Sequence, residues 1–158
     1  MNYNLDKACP DNWHYFNGTG SCYKVMKSSK SWDDARSSCQ ELNSDLASIT
    51  TEETNTFLAS LTTELSWVGG YLDFNKEWKW SDGSVWAYSN WFPGEPNGLT
   101  GETTEQQNRA TINYPWEKGV DGVGLWDDQY ATYKTSFICQ LKIYLQGKLD
   151  ELSKPRRW

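Results

Sequence analysis

Four cysteines constrain this chain more than any other feature. Cys9, Cys22, Cys39 and Cys139 are an even set spread over most of the sequence, with no C-x-x-C pair and a single histidine, His14. A zinc site usually needs four N/S ligands at close spacing, so two disulfides are the better reading. Three pairings are open on paper. The pair Cys9/Cys22 would staple an N-terminal hairpin, and Cys39/Cys139 would tie an early helix to a late strand; chain-entropy reasoning values a closure of that length at no more than about 4–5 kcal/mol. Disulfides imply an oxidising compartment, so a secreted, extracellular protein is expected. The single N-x-[ST] triplet, Asn17-Gly18-Thr19, agrees with that. The opening Met1-Asn2-Tyr3-Asn4 lacks the basic end and apolar stretch of a signal peptide, so a secreted form would have lost its leader.

The 158 residues fit one domain of ordinary size. Net charge is −6 and the fifteen Lys and Arg are scattered. The basic stripe that neutralises phosphates is therefore missing, which argues against nucleic acid and for a cation as partner. No apolar run approaches the ~20 residues that span a bilayer, so membrane insertion is not expected. Ten Trp and nine Tyr against five Phe suit a loop-rich domain with a binding surface, because rings with a polar edge pack on one side and hydrogen-bond on the other.

Along the chain, residues 9–26 read as two short strands around the turn Asn17-Gly18-Thr19-Gly20. Ser31 can cap a helix beginning at Trp32, with Asp33 and Asp34 in its first turn and Trp32, Ala35, Cys39 and Leu42 on one face. Residues 50–62 repeat the device, with Thr51 or Thr50 as cap, Glu52 and Glu53 in the first turn, and Phe57, Leu58 and Leu61 as the apolar stripe. Short β segments follow at Trp67-Val68-Gly69 and Trp78-Lys79-Trp80. From about residue 81 to 124 no regular element is evident, and a loop of that length inside one domain points to function. Residues 135–141 look like a closing core strand. Residues 1–8 form an N-terminal extension. In the tail, 142–158, Ile143, Leu145, Leu149 and Leu152 fit a short amphipathic helix ended by Pro155; a frayed tail and an oligomerisation helix fit equally.

Taken in order, these segments resemble the long-form C-type lectin-like domain family over residues 9–141. Cys9-Pro10, Trp13, Phe16 and Cys22-Tyr23 are similar to its N-terminal hairpin, and Trp32 to Cys39 to its first helix. Leu46-Ala47-Ser48-Ile49 matches the link to its second helix. Trp67-Val68-Gly69-Gly70 resembles its core "WIGL" signature and Trp80-Ser81-Asp82-Gly83 its "W-x-DG" turn. Glu95-Pro96-Asn97 followed by Trp126-Asp127-Asp128 resembles its "EPN … WND" motif. The resemblance implies an α+β fold in which two helices flank small antiparallel sheets and a long loop carries the ligand site. It also implies the pairings Cys9–Cys22 and Cys39–Cys139.

The implied function is calcium-dependent sugar binding. Ca²⁺ takes six to eight oxygen ligands and prefers carboxylates, with amide carbonyls filling the rest. Glu95, Asn97, Asp127 and Asp128 are the expected ligands of the metal and of the sugar, with Asp127 standing where the motif usually has Asn. Glu95 and Asn97 can face the same way if the peptide before Pro96 is cis, as it is in the family. Family members also carry a disulfide inside the loop; the corresponding places here hold Ala110, or Arg109, and Ala131. A glutamate near that lost cysteine usually supplies a further ligand. Counting back from Ala110 reaches Asn108, while Glu102 and Glu105 lie nearby and suit the chemistry. Trp91, Trp116 and Tyr130 are candidates to stack on a sugar ring.

The EPN triplet implies mannose-type hexoses; a well-placed tryptophan would instead favour galactose. Single lectin sites bind weakly, so a homo-oligomer that gains avidity is expected. An enzyme is not: no free thiol remains if both disulfides form, His14 stands alone, and there is no G-x-S-x-G or phosphate loop. The adjacent Asp127 and Asp128 are badly disposed for a glycosidase pair. A third reading keeps the fold with a protein or ice as ligand, and loss of the calcium ligands would be its sign.

Overall fold

The computed structural model describes residues 9–99, 105–114 and 122–143. Strands β1 (His14–Phe16) and β2 (Ser21–Lys30) form the N-terminal hairpin, and Cys9–Cys22 closes it. Helix α1 (Trp32–Glu41) starts where Ser31 accepts from the Asp34 amide, and it buries Trp32, Ala35 and Cys39. Leu42, expected on that buried face, is instead the C-cap and 41% exposed. The reason is local: its amide bonds Cys39 in a tightened last turn and Asn43 turns left-handed at φ 54°, so the chain leaves the helix before Leu42 can point inward.

A two-residue strand β3 (Asp45–Leu46) leads to helix α2 (Glu52–Leu61), whose cap is Thr51. Its buried residues are Thr54, Asn55 and Leu58; Phe57 is half-buried and stacks on Phe16 at 4.4 Å. Strands β4 (Ser66–Leu72), β5 (Trp78–Trp80), β6 (Arg109–Ile112), β7 (Trp126–Gln129) and β8 (Thr135–Lys142) complete the sheet, in the order β1-β2-β8-β4-β6-β7, with β3 on β8 and β5 on β4. All pairs are antiparallel except β4–β8, so the sheet is mixed.

Strand β6 corrects the expectation that residues 81–124 contain no regular element. It pairs with β4 on one side and β7 on the other. Its packing depends on Gly70, where a Cβ would come within 2.7 Å of the Ala110 methyl.

Two apolar clusters fill the interior. One contains Trp67, Trp32 and the buried disulfide Cys39–Cys139, which joins α1 to β8. The other contains Val68, Trp80, Ala110, Ile112 and Trp126. Three buried indoles find acceptors, Trp32 donating to the Val68 carbonyl, Trp67 to the Lys30 carbonyl and Trp126 to the Asn55 side chain, whereas the buried Trp80 Nε1 has no partner among the described residues. No helix among the described residues is long and apolar enough to cross a membrane. The extension 1–8 and tail residues 144–158 lie outside the described residues.

Candidate functional site

The site is built where the long loop returns to the sheet edge. Trp126 donates its amide to Asn90, and Phe92 donates to Trp126, so the loop runs beside β7. Asn55 and Asn90 both donate to the Gly124 carbonyl, which ties α2 to the approach of the same strand. The loop then turns at Gly94 (φ 94°), passes the cis Glu95–Pro96 peptide and turns again at Gly98 (φ 61°). Left-handed backbone of this kind favours glycine.

These turns place Glu95 over Asp127 and Asp128 of β7. The three residues offer carboxylate oxygens within 4.8 Å of one another. Asp128 is fully buried and accepts the Asn97 amide at 3.0 Å and the Gly98 amide at 2.8 Å. Glu95 accepts the Asn97 amide at 2.9 Å and the Asn97 Nδ2 at 2.8 Å. Asp127, 2% exposed, accepts from Gln129 Nε2. Pro96 and Asn97 are exposed, so the cluster opens to solvent on one side.

None of the ion pairs among the described residues reaches these carboxylates. Burial, a hydrogen bond that protonated Glu95 donates to Asp128 and the charge of Asp127 push Glu95 up to about 7. Burial, with the charge of Asp128 adding to it, pushes Asp127 up to about 6. Like charges held this close, out of water, call for a proton or a cation between them.

The position of the absent loop disulfide is now readable. Ala110 is fully buried inside the core cluster. Arg109 instead lays its guanidinium over the Trp32 ring at 4.8 Å, and the Trp32 amide donates to the Ala131 carbonyl. Arg109 and Ala131 thus share one neighbourhood, and a count that starts from Arg109, the alternative to Ala110, reaches Gln107 where the count from Ala110 reaches Asn108. Asn108 is engaged: its Oδ1 accepts from Arg109 at 3.0 Å and its carbonyl from Leu72 at 2.9 Å. Gln107, 8% exposed, has a buried Oε1 without a hydrogen-bond partner among the described residues, and its amide donates to Leu99, two residues beyond Asn97. Gln107 is reached only when the count starts from Arg109; the Asn-Arg-Ala-Thr-Ile run that precedes Asn113 offers no other marker.

Glu105 is turned toward Thr132, accepting from its hydroxyl at 2.8 Å. Trp91 is half-buried in a group of indoles, 4.8 Å from Trp78 and 5.6 Å from Trp126. Tyr130, half-buried, follows β7 directly. Glu102 and Trp116 lie outside the described residues.

Comparison with known proteins agrees with this architecture. A family profile described as Lectin C-type domain matches residues 28–141. The low affinity immunoglobulin epsilon Fc receptor of Mus musculus is 35% identical over 136 residues, 84% of this chain and 37% of the receptor. The chain therefore spans little more than a third of that relative's length. The crystal structure of the cow C-type carbohydrate-recognition domain of CD23, in the presence of a GlcNAc2Man3 oligosaccharide, has a TM-score of 0.69 and 31% identity, covering 84% of this chain and 94% of that one. A calcium-independent type II antifreeze protein has a TM-score of 0.71 at 22% identity, covering 84% and 92%; that likeness is one of fold alone. On the family match and the two-helix mixed sheet together, the chain belongs to the C-type lectin domain family.

Proposed function

We propose that this is an extracellular, non-enzymatic binding domain that holds one Ca²⁺ at Glu95, Asp127 and Asp128 and recognises a mannose-type hexose there. The observation that carries the reading is the convergence of three carboxylates within 4.8 Å with no cationic side chain paired to them among the described residues. The Asn97 amide oxygen and the partnerless Gln107 Oε1 suit the neutral ligands such a shell takes beside carboxylates. The ion would supply positive charge and open positions for two vicinal hydroxyls. The chain's own residues do the discriminating: Glu95 and Asp128 accept from sugar hydroxyls, and Asn97 Nδ2, which now donates to Glu95, donates to one. The Glu95-Pro96-Asn97 triplet favours equatorial 3- and 4-hydroxyls. Trp91 packs against other indoles, which leaves half-buried Tyr130, two residues after Asp128, as the platform for a ring face.

The test is a glycan array and mannose-agarose retention, each with calcium and with EDTA. Retention with calcium, and elution by EDTA, is expected. A galactose preference would assign the ring face to an aromatic and overturn the mannose assignment, and absence of calcium uptake by calorimetry would overturn the metal site. A protein ligand is the second reading. It is favoured by Phe74, 91% exposed at the tip of the β4–β5 hairpin, and by the relative named as an immunoglobulin receptor. Calcium-independent capture of a protein partner, lost on Phe74→Ser, would support it.

A further inference from the structure

We infer that Asn17 is a site of N-linked glycosylation, placed so that its glycan leaves the candidate calcium site open. Asn17-Gly18-Thr19 is the only N-x-[ST] triplet in the chain. It lies at the tip of the β1–β2 hairpin, between Phe16 and Ser21. The amides of Thr19 and Gly20 both fold back onto the Phe16 carbonyl, at 3.3 and 3.0 Å. That closes the turn beneath Asn17 and Gly18 and leaves both exposed. The Asn17 carboxamide makes no hydrogen bond among the described residues, so nothing has to be broken to free its nitrogen. Phe16, stacked on Phe57 of α2, anchors the turn from below.

Two further observations agree. The hairpin carrying Asn17 is closed by the Cys9–Cys22 disulfide. The oxidising compartment that disulfide requires is also where sugar is transferred to asparagine. In the sheet order β1-β2-β8-β4-β6-β7, Asn17 follows the strand at one edge, while Asp127 and Asp128 lie in the strand at the other. The width of the sheet, four strands, therefore separates the glycosylated turn's hairpin strand β1 from β7 and its acidic pair.

The step balances with a lipid-diphosphate-linked oligosaccharide as donor. Asn17 Nδ2 attacks the anomeric carbon, the N–C bond forms, and the C–O bond breaks with its electron pair leaving on the diphosphate. One amide proton passes to a base of the transferring enzyme.

The test is secretion of the full chain from eukaryotic cells, followed by intact mass and peptide mapping before and after peptide N-glycosidase. We expect a glycan mapped to Asn17, complete loss of the mass increment in Asn17→Gln, and its retention in Thr19→Ser, which keeps the triplet. Mapping on the wild-type peptide needs no variant to fold. Secreted, disulfide-bonded protein with unmodified Asn17, from cells that glycosylate a control sequon, would overturn the inference, as would an increment that survives Asn17→Gln. Neither outcome depends on whether calcium binds.

Discussion

Glu95 and Asp127 are raised for the same first reason, burial, and the sign of their effect depends on what fills the space between them. Calcium needs both ionised, so its affinity should fall as pH drops through about 7 and then about 6, where protons take its place. Isothermal titration at pH 7.5 and pH 5.5 checks this; equal affinities would count against the ligand set. In EDTA the linkage runs the other way. The folded chain keeps a proton on Glu95 where the unfolded chain, titrating near ~4, has lost it, so this group's contribution to stability falls as pH rises from about 4 to about 7. The difference in urea midpoint between wild type and Glu95→Gln across that window isolates the effect, and it should favour the variant at the upper end. Gln107 is decided separately. Gln107→Glu adds a charge to the shell and should tighten calcium by about 10-fold, as ligand charge tunes such sites. Gln107→Leu should weaken calcium binding while leaving the EDTA-treated fold intact, because the buried Oε1 has no partner to lose. An unchanged dissociation constant in both variants would remove Gln107 from the site.

Helices α1 and α2 were legible in the residues because each advertises its start: Ser31 and Thr51 accept the amide three residues on, and acidic pairs fill both first turns. Strand β6 was not, since Arg109–Ile112 is four residues long and takes its strand character from neighbours on both sides rather than from its own alternation. The acidic pair of β7 was readable as a motif, whereas the orphaned Gln107 needed the register of β6 to be known. That register also shows what stands in for the loop disulfide. Glu105 holds Thr132 beside Ala131, and Arg109 covers Trp32, contacts worth about 1 kcal/mol apiece. Replacing both Arg109 and Ala131 by cysteine should form a bridge and stabilise the chain by about 2–3 kcal/mol, since closing a loop of this length is worth about 3 kcal/mol before the lost Arg109 contact is subtracted. Thiol titration and the shift in urea midpoint measure it. Persistent free thiols would place the vacant pair elsewhere and would reopen Asn108 as the ligand.

At the scale of the molecule, the sheet divides the work. Strands β2 and β8 and helix α1 form a region held by strand pairing and by the Cys39–Cys139 disulfide. The opposite edge, β6 and β7 with the loop against them, packs on Trp126 and Asn55 but must also hold three carboxylates together, Asp127 and Asp128 buried and Glu95 half-buried. The carboxylate cost is what a cation would relieve, so calcium removal should act on the whole chain through that edge. With calcium at 100 times its dissociation constant the folded form gains about 2.7 kcal/mol by mass action. For a domain of this size each kcal/mol moves Tm by about 2–4 °C, so a rise of about 5–10 °C over the EDTA-treated protein is expected in a thermal melt. If the loop edge unfolds as a separate unit, the same free energy will appear as hydrogen-exchange protection confined to residues 90–99 and 107–113, with little movement of the global midpoint. A melt and an exchange map that are both indifferent to calcium would mean that the three carboxylates tolerate one another without it, and the fold would have to be read as a binding scaffold that does not use a metal.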